Sequence, residues 1–307
     1  VAPSRGLGDV YKRQLYAIPE VHVSDVKIQT LLDDTFTKAD LVIDTKATKA
    51  GKVKITLSKA GKELQSVEET LAEESQYVMK VENPELWSAE SPVLYDLLLE
   101  VMDENGQVTE VIPQRVGFRR FEMKDSIMML NGKRIVFKGV NRHEFSSVSG
   151  RVVSREELIK DLVTMKQNNI NAIRTCHYPD ASPIYRLCDE YGIYMIAENN
   201  LESHGTWDIA EFTGDHTDIV PHNKPEWLGM MLDRVNSMYQ RDKNHPAILI
   251  WSCGNESFGG KDIFEMSEFY HKNDPTRLVH YEGVFHDRSY NCLLYTSPSP
   301  RDGATSR

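Results

Sequence analysis

The hydrophobic period of this 307-residue chain changes once, close to Asn131-Gly132, and that change calls for two different kinds of domain. Before it, from Val21 to about Met123, apolar and polar residues alternate in short runs. Val53, Ile55 and Leu57 alternate with Lys54, Thr56 and Ser58, while Tyr95, Leu97, Leu99 and Val101 share one face. Turn residues separate the runs at Lys49–Lys52, Lys59–Lys62 and Asp103–Gly106. A period of two with regular glycine-bearing turns predicts an antiparallel, immunoglobulin-like β-sandwich of about 100 residues. This stretch contains no cysteine, so its sheets must be held by their apolar faces alone. It shows no catalytic constellation and reads as a structural module.

After Asn131-Gly132, itself a tight-hairpin signal, strand and helix patterns alternate. Arg134–Gly139 reads as a strand, and Ser154 with Glu157 makes a capping box ahead of Leu158, Leu162 and Met165 at helical spacing. Asn171–Thr175 is the next strand. Ser182-Pro183 then opens a helix that stops at Gly192, with Ser as cap and Pro at the first helical position. Ile193–Ala197, Ala247–Trp251 and Arg277–Tyr281 are further strands, with helices at Pro225–Asp242 and Lys261–Asn273. Unbroken alternation means parallel βαβ units. A closed (β/α)8 barrel takes roughly 250 residues, and Asn131 to Asn291 suffices for about half of one. A small doubly wound sheet would also fit this length, but no Gly-rich phosphate loop follows the first strand.

Both ends read as foreign to the fold. Asp9–Gln14 back-translates to GAT GTG TAT AAG AGA CAG and Cys292–Ser297 to TGT CTC TTA TAC ACA TCT, strings that are reverse complements over most of their length. That relation matches a translated sequencing adaptor read inward from each side. The expected organisation is therefore adaptor at 1–14, sandwich at 15–123, the first half of a TIM barrel at 124–291, and adaptor at 292–307.

The net charge of -10 excludes most nucleic-acid roles, since no basic stripe offers itself to phosphates. It is more negative still without the two ends, whose Arg and Lys outnumber their Asp. No apolar run approaches the roughly 20 residues of a membrane span. Setting aside Cys292, the remaining Cys176, Cys188 and Cys253 are odd in number and lack CxxC spacing, which fits free thiols in a reducing, cytoplasmic compartment.

Reactive groups of a β/α barrel stand at the C-terminal ends of its strands. Applied here, that filter selects Asn141, Arg142, His143 and Glu144 after the first strand, and His177 and Tyr178 after the second. After the third it selects Glu198, Asn199, Glu202 and His204, and after the fourth Asn255 and Glu256. The sharpest signal is the apolar strand Ala247–Trp251 running into Gly254-Asn255-Glu256-Ser257. A carboxyl there can protonate a glycosidic oxygen, and Asn255 can bond a sugar hydroxyl. Retaining glycoside hydrolysis needs a second carboxyl about 5 to 5.5 Å away. Glu198 and Glu202 are conceivable partners, although a metal or substrate role suits them better.

The motifs Leu130-Asn131-Gly132-Lys133, Gly139 to Glu144, Met165 to Asn169, Arg174, Cys176-His177-Tyr178-Pro179, Leu201 to Gly205 and Arg241 to Pro246 resemble glycoside hydrolase family 2, in its β-galactosidase branch. Asn83 to Ser88 and Val116 to Arg119 resemble its sandwich domain. The likeness runs from about 20 to 291 in order and spacing. It implies a retaining β-galactosidase in which Glu256 is the general acid/base, and Glu202, His204 and Glu256 hold Mg2+. It further implies that His143, His177 and Asn255 bind the galactose, and that the whole enzyme uses a monovalent Na+ or K+ and forms a homo-oligomer. The family's amino-terminal jelly-roll domain and the barrel half with the nucleophilic glutamate are not matched, so the chain alone is expected to be inactive. Ala197-Glu198-Asn199-Asn200 departs from the family's Asp-Glu-Ala-Asn. Three alternatives stay open: a β-glucuronidase, whose usual Asn-Glu-Pro differs from Asn255-Glu256-Ser257; a non-catalytic sugar-binding module; and a metal-dependent hydrolase using His143, His177 and Glu202.

Overall fold

The structure is a computed structural model that describes residues 16–285 together with 289 and 290. The segments read as adaptor lie outside the described residues. The amino-terminal strands are β1 (Val23–Leu32), β2 (Lys38–Ala47), β3 (Gly51–Lys59), β4 (Lys62–Leu71), β5 (Glu74–Glu82), β6 (Tyr95–Met102) and β7 (Val108–Val116). They form one sheet in the order β1-β2-β5 and another in the order β4-β3-β6-β7, the two-sheet pattern expected of the sandwich. The alternation read from the sequence is the cause. Val53, Ile55 and Leu57 are fully buried and pair in register with Val101, Leu99 and Leu97 of the antiparallel β6, which point to the same side.

Three short strands follow, β8 (Phe121–Lys124), β9 (Ile127–Leu130) and β10 (Lys133–Arg134), in a separate antiparallel sheet. Asn131 and Gly132 join the last two with φ of 51° and 73°, the pair of left-handed residues that a two-residue hairpin turn requires. Here the expected strand Arg134–Gly139 is corrected. Lys133 and Arg134 are committed backward to Leu130 and Met129, and the first parallel strand begins only at Gly139.

The parallel sheet consists of β11 (Gly139–Arg142), β12 (Ala172–Thr175), β13 (Tyr194–Glu198), β14 (Ile248–Ser252) and β15 (Leu278–His280), hydrogen-bonded in that order. Helices α1 (Arg155–Gln167), α2 (Ser182–Tyr191), α3 (His204–Thr213), α4 (Pro225–Asp242) and α5 (Lys261–Asn273) lie between the strands. Sequential order without reversal is the arrangement of a β/α barrel and not of a doubly wound sheet. Five adjacent strands make this a partial barrel among the described residues.

Capping follows the sequence at α1, where Ser154 Oγ accepts from the Glu157 amide at 3.2 Å and the Glu157 carboxylate accepts from the Ser154 amide at 2.9 Å. At α2 it does not. The cap is Ala181, whose amide donates to the Glu144 carboxylate at 3.0 Å, so Ser182 is freed from capping and becomes the first helical residue. Helix α3 was not read from the sequence, because it buries only Ala210 and leaves Ile209 and Phe212 exposed.

By contact density the chain divides into two compact units. One is the described part of Val1–Lys27 with Ile43–Tyr77 and Asp96–Gln114; the other is Ile28–Val42, Val78–Tyr95 and the described part of Arg115–Arg307. Within the second unit, fully buried Trp87 packs edge-on against Tyr194 with ring centroids 5.8 Å apart, and its indole donates to the Asp189 carbonyl at 2.9 Å. Arg119 is buried as well and donates to the carbonyls of Pro246, Ile248 and Thr276, tying down the amino-terminal ends of β14 and β15.

Candidate active site

The five parallel strands bring their last residues to one edge. Register fixes this: Arg142 pairs with Thr175, Glu198 with Ser252, and Ser252 with His280, so the residues that follow form a single rim. Arg142, which the strand-end rule places on the rim, is not part of its free surface. It lies inside β11, buried, with its guanidinium bound to Asp161 at 3.0 Å and Asp180 at 2.8 Å. Burial pushes the Asp180 carboxyl up to about 7 against the pull of Arg142.

Beneath the rim lies a polar cluster that only the three-dimensional arrangement discloses. Glu198 is fully buried, and its carboxylate accepts from Arg174 Nε at 2.5 Å, from Ser252 Oγ at 2.8 Å and from His177 Nδ1 at 2.7 Å. Thr175 Oγ1 accepts from its amide at 2.9 Å. With both oxygens occupied and no exposed surface, Glu198 is unavailable to substrate or metal, which corrects the sequence reading of that residue. Its task is to orient Arg174 and His177. Arg174 passes this on: its Nη2 donates to Asn255 Oδ1 at 2.8 Å and its Nη1 to Asn141 Oδ1 at 3.3 Å. Asn255 in turn donates through Nδ2 to Glu202 Oε1 at 3.1 Å.

Glu256 follows Asn255 into the open. Gly254 makes that exit feasible: its φ is 149°, and a Cβ there would lie 2.7 Å from the Leu201 side chain. The Glu256 side chain is 42% exposed while that of Glu198 is 0% exposed, which decides which of the two can meet a ligand. Its Oε2 stands 2.5 Å from His204 Nδ1, and His204 Nε2 reaches Asp208 at 3.0 Å. The donor atoms of Glu202, His204 and Glu256 all lie within 4.8 Å of one another. Two carboxylates and one imidazole, partly open to water, fit a hard divalent ion that keeps several water ligands.

On the other side of the rim His143 is exposed and sits edge-on to His177, with ring centroids 5.3 Å apart. The strand-end filter, stopped at the fourth strand, missed Glu282. This residue follows β15 and brings Oε1 to 3.9 Å from Arg174 Nη2. Burial raises its carboxyl above the usual range, and the charges of Glu198 and Glu256 add to the rise while Arg174 and His177 oppose it. The rim thus brings together Glu256, His143, His177, Asn255, Glu202 and His204, with Glu198 and Arg142 buried beneath it.

Comparison with known proteins identifies the family. The model of glycosyl hydrolases family 2 matches residues 21–119, and that of the glycosyl hydrolases family 2 TIM barrel domain matches residues 121–300. The chain belongs to glycoside hydrolase family 2. Among relatives in this family, the β-galactosidase of Halalkalibacterium halodurans is 49% identical over 92% of the chain, and that of Clostridium acetobutylicum 48% identical over 92%. The chain spans 28% and 31% of the length of these two enzymes. A solved structure of a β-D-glucuronidase from Dictyoglomus thermophilum superposes with a TM-score of 0.72 at 26% identity, covering 85% of this chain and 44% of that one. As a family 2 member the chain thus pairs a sandwich with a partial TIM barrel.

Proposed function

We propose that this chain carries the acid/base side of a retaining β-galactosidase, an enzyme that hydrolyses terminal non-reducing β-D-galactose residues. The observation that carries the reading is the contrast between two carboxylates on one rim: Glu256 is open to a ligand and flanked by Asn255, whereas Glu198 is sealed beneath them. In this reading Glu256 protonates the glycosidic oxygen as the bond breaks, and a glutamate from a segment outside this chain attacks the anomeric carbon. Glu256 then takes a proton from water as the sugar is released. His143, His177 and Asn255 hold the galactose hydroxyls; His177 does so from a ring whose tautomer Glu198 fixes. The identity to β-galactosidases, about twice that to the glucuronidase, favours galactose over glucuronic acid.

Glu202, His204 and Glu256 would hold Mg2+, whose chemistry is a fixed positive charge beside the acid/base carboxyl. The three buried free thiols Cys176, Cys188 and Cys253 fit a cytoplasmic enzyme. No helix among the described residues is long and apolar enough to cross a membrane.

The test is to extend the gene outward from both ends of the segment and express the whole protein. Glu256→Gln is then compared with the unchanged enzyme on aryl β-galactosides. The expected loss is about a hundredfold or more on poor leaving groups and much smaller on good ones. Equal loss on both counts against the acid role, and faster turnover of β-glucuronides than β-galactosides replaces the substrate assignment.

A further inference from the structure

We propose that His143, Cys176 and His177 form a second metal site, selective for a soft or borderline ion of the zinc class and separate in chemistry from the Glu202, His204 and Glu256 group. The three donors, two imidazole nitrogens and one sulfur, lie within 4.8 Å of one another. Strand register brings them there. Arg142 pairs with Thr175, and the Cys176 amide donates to the Arg142 carbonyl at 3.1 Å, so His143 and Cys176 leave adjacent strands side by side.

His177 is already held as a ligand histidine is held. Its Nδ1 is bonded to the buried Glu198 carboxylate, which leaves Nε2 as the free nitrogen and strengthens it as a donor, the arrangement found behind metal-bound imidazoles. Glu198 is itself fixed by Arg174 and Ser252, so the ring has little freedom to turn away. His143 is exposed, so burial does not hold its ring away from an ion whose bonds to nitrogen and sulfur run about 2.0 to 2.3 Å. Three protein ligands with the fourth position left to water make an exchangeable site rather than a closed structural one. Burial pushes the Cys176 thiol up to about 11, so an incoming ion must expel its proton. Imidazole and thiolate select zinc-like ions over magnesium, which prefers the carboxylates of the neighbouring group. On the reading of His143 and His177 as galactose ligands, such an ion would compete with the sugar.

Binding is tested on the chain itself, independently of any activity, with Co2+ as the probe in place of Zn2+. Metal-free chain titrated with Co2+ should develop a thiolate-to-cobalt absorption band at one equivalent. Zn2+ should bleach that band, and excess Mg2+ should not. The band should survive His204→Ala, which disables the other group, and vanish in Cys176→Ser. His143→Ala alters an exposed residue and should leave the fold intact by circular dichroism while weakening Co2+ binding about tenfold or more. A folded chain that gives no such band overturns the proposal. So does a band that persists in Cys176→Ser, or binding unchanged in His143→Ala.

Discussion

Arg174 and Asn255 are joined by a hydrogen bond from Nη2 to Oδ1 at 2.8 Å, while the same guanidinium holds buried Glu198 through Nε. A guanidinium can only donate, so this contact fixes which end of the Asn255 amide faces Arg174 and turns Nδ2 toward Glu202. The orientation of a rim amide is thus set by a carboxylate with no exposure of its own. Arg174→Ala should destabilise the chain by about 3–5 kcal/mol, because Glu198 is left as an uncompensated buried charge. Adding Glu198→Gln should recover part of that loss. Urea unfolding of the single and double variants measures the coupling, and strictly additive effects would show that the two residues do not act together.

Gly254 is the hinge between the buried strand and the exposed acid. Its φ of 149° and the 2.7 Å clearance to Leu201 leave no room for a side chain without moving β14 or Leu201. Gly254→Ala should therefore lower stability by roughly 1–3 kcal/mol. It should also shift Asn255, whose amide bonds the Leu201 carbonyl at 2.8 Å. In the whole enzyme the expected signature is a fall in kcat/KM larger than the stability loss explains, measured well below the melting temperature. Unchanged kinetics would separate backbone strain from the placement of Glu256.

The sequence made Glu256, Asn255 and the hairpin turns legible because their signals are local: an apolar strand running into Gly-Asn-Glu, and Asn-Gly between alternating runs. Glu198 was misjudged for the opposite reason. Its burial depends on Arg174, His177 and Ser252, which arrive from neighbouring strands, and only the strand order makes them neighbours. The cap of α2 followed the same pattern, since Glu144 reaches Ala181 across 37 residues and displaces the Ser182 cap that local rules favour. Helix α3 carried too little apolar periodicity to be seen, because almost none of it is buried. Glu282 could have been found by applying the strand-end filter to Arg277–Tyr281 as well.

Glu202, His204 and Glu256 offer hard donors, so metal removal followed by return of Mg2+ alone tests their role. In the whole enzyme, chelation should reduce activity without abolishing it, because the proton transfer belongs to Glu256 and not to the ion. Mg2+ should restore the loss. Glu202→Gln should raise the Mg2+ concentration needed for half-restoration by tenfold or more, while its amide oxygen still accepts from Asn255 Nδ2. Complete loss of turnover on chelation would instead support a metal-dependent hydrolase that uses His143, His177 and Glu202.

Acid stability should depend on Asp274, which lies far from the rim. Burial alone would raise its carboxyl, but Arg277 at 2.5 Å outweighs that, helped by Thr276 at 2.7 Å and the Trp251 indole at 2.8 Å, and holds it at about 2. The unfolded chain binds this proton at the ordinary value of 3.8, so between those two values the unfolded state carries more protons and stability rises with pH. The contribution, about 2 kcal/mol, is fully present above pH 4 and is lost as the pH falls through 2. Asp274→Asn should therefore cost about 3–5 kcal/mol at neutral pH, since it also strands the buried Arg277 charge. The difference between variant and unchanged chain should shrink as pH falls from about 4 toward 2. Urea midpoints taken across that range supply the measurement. A difference that stays constant with pH would mean that Asp274 stabilises the fold through its shape and hydrogen bonds alone, not through its charge.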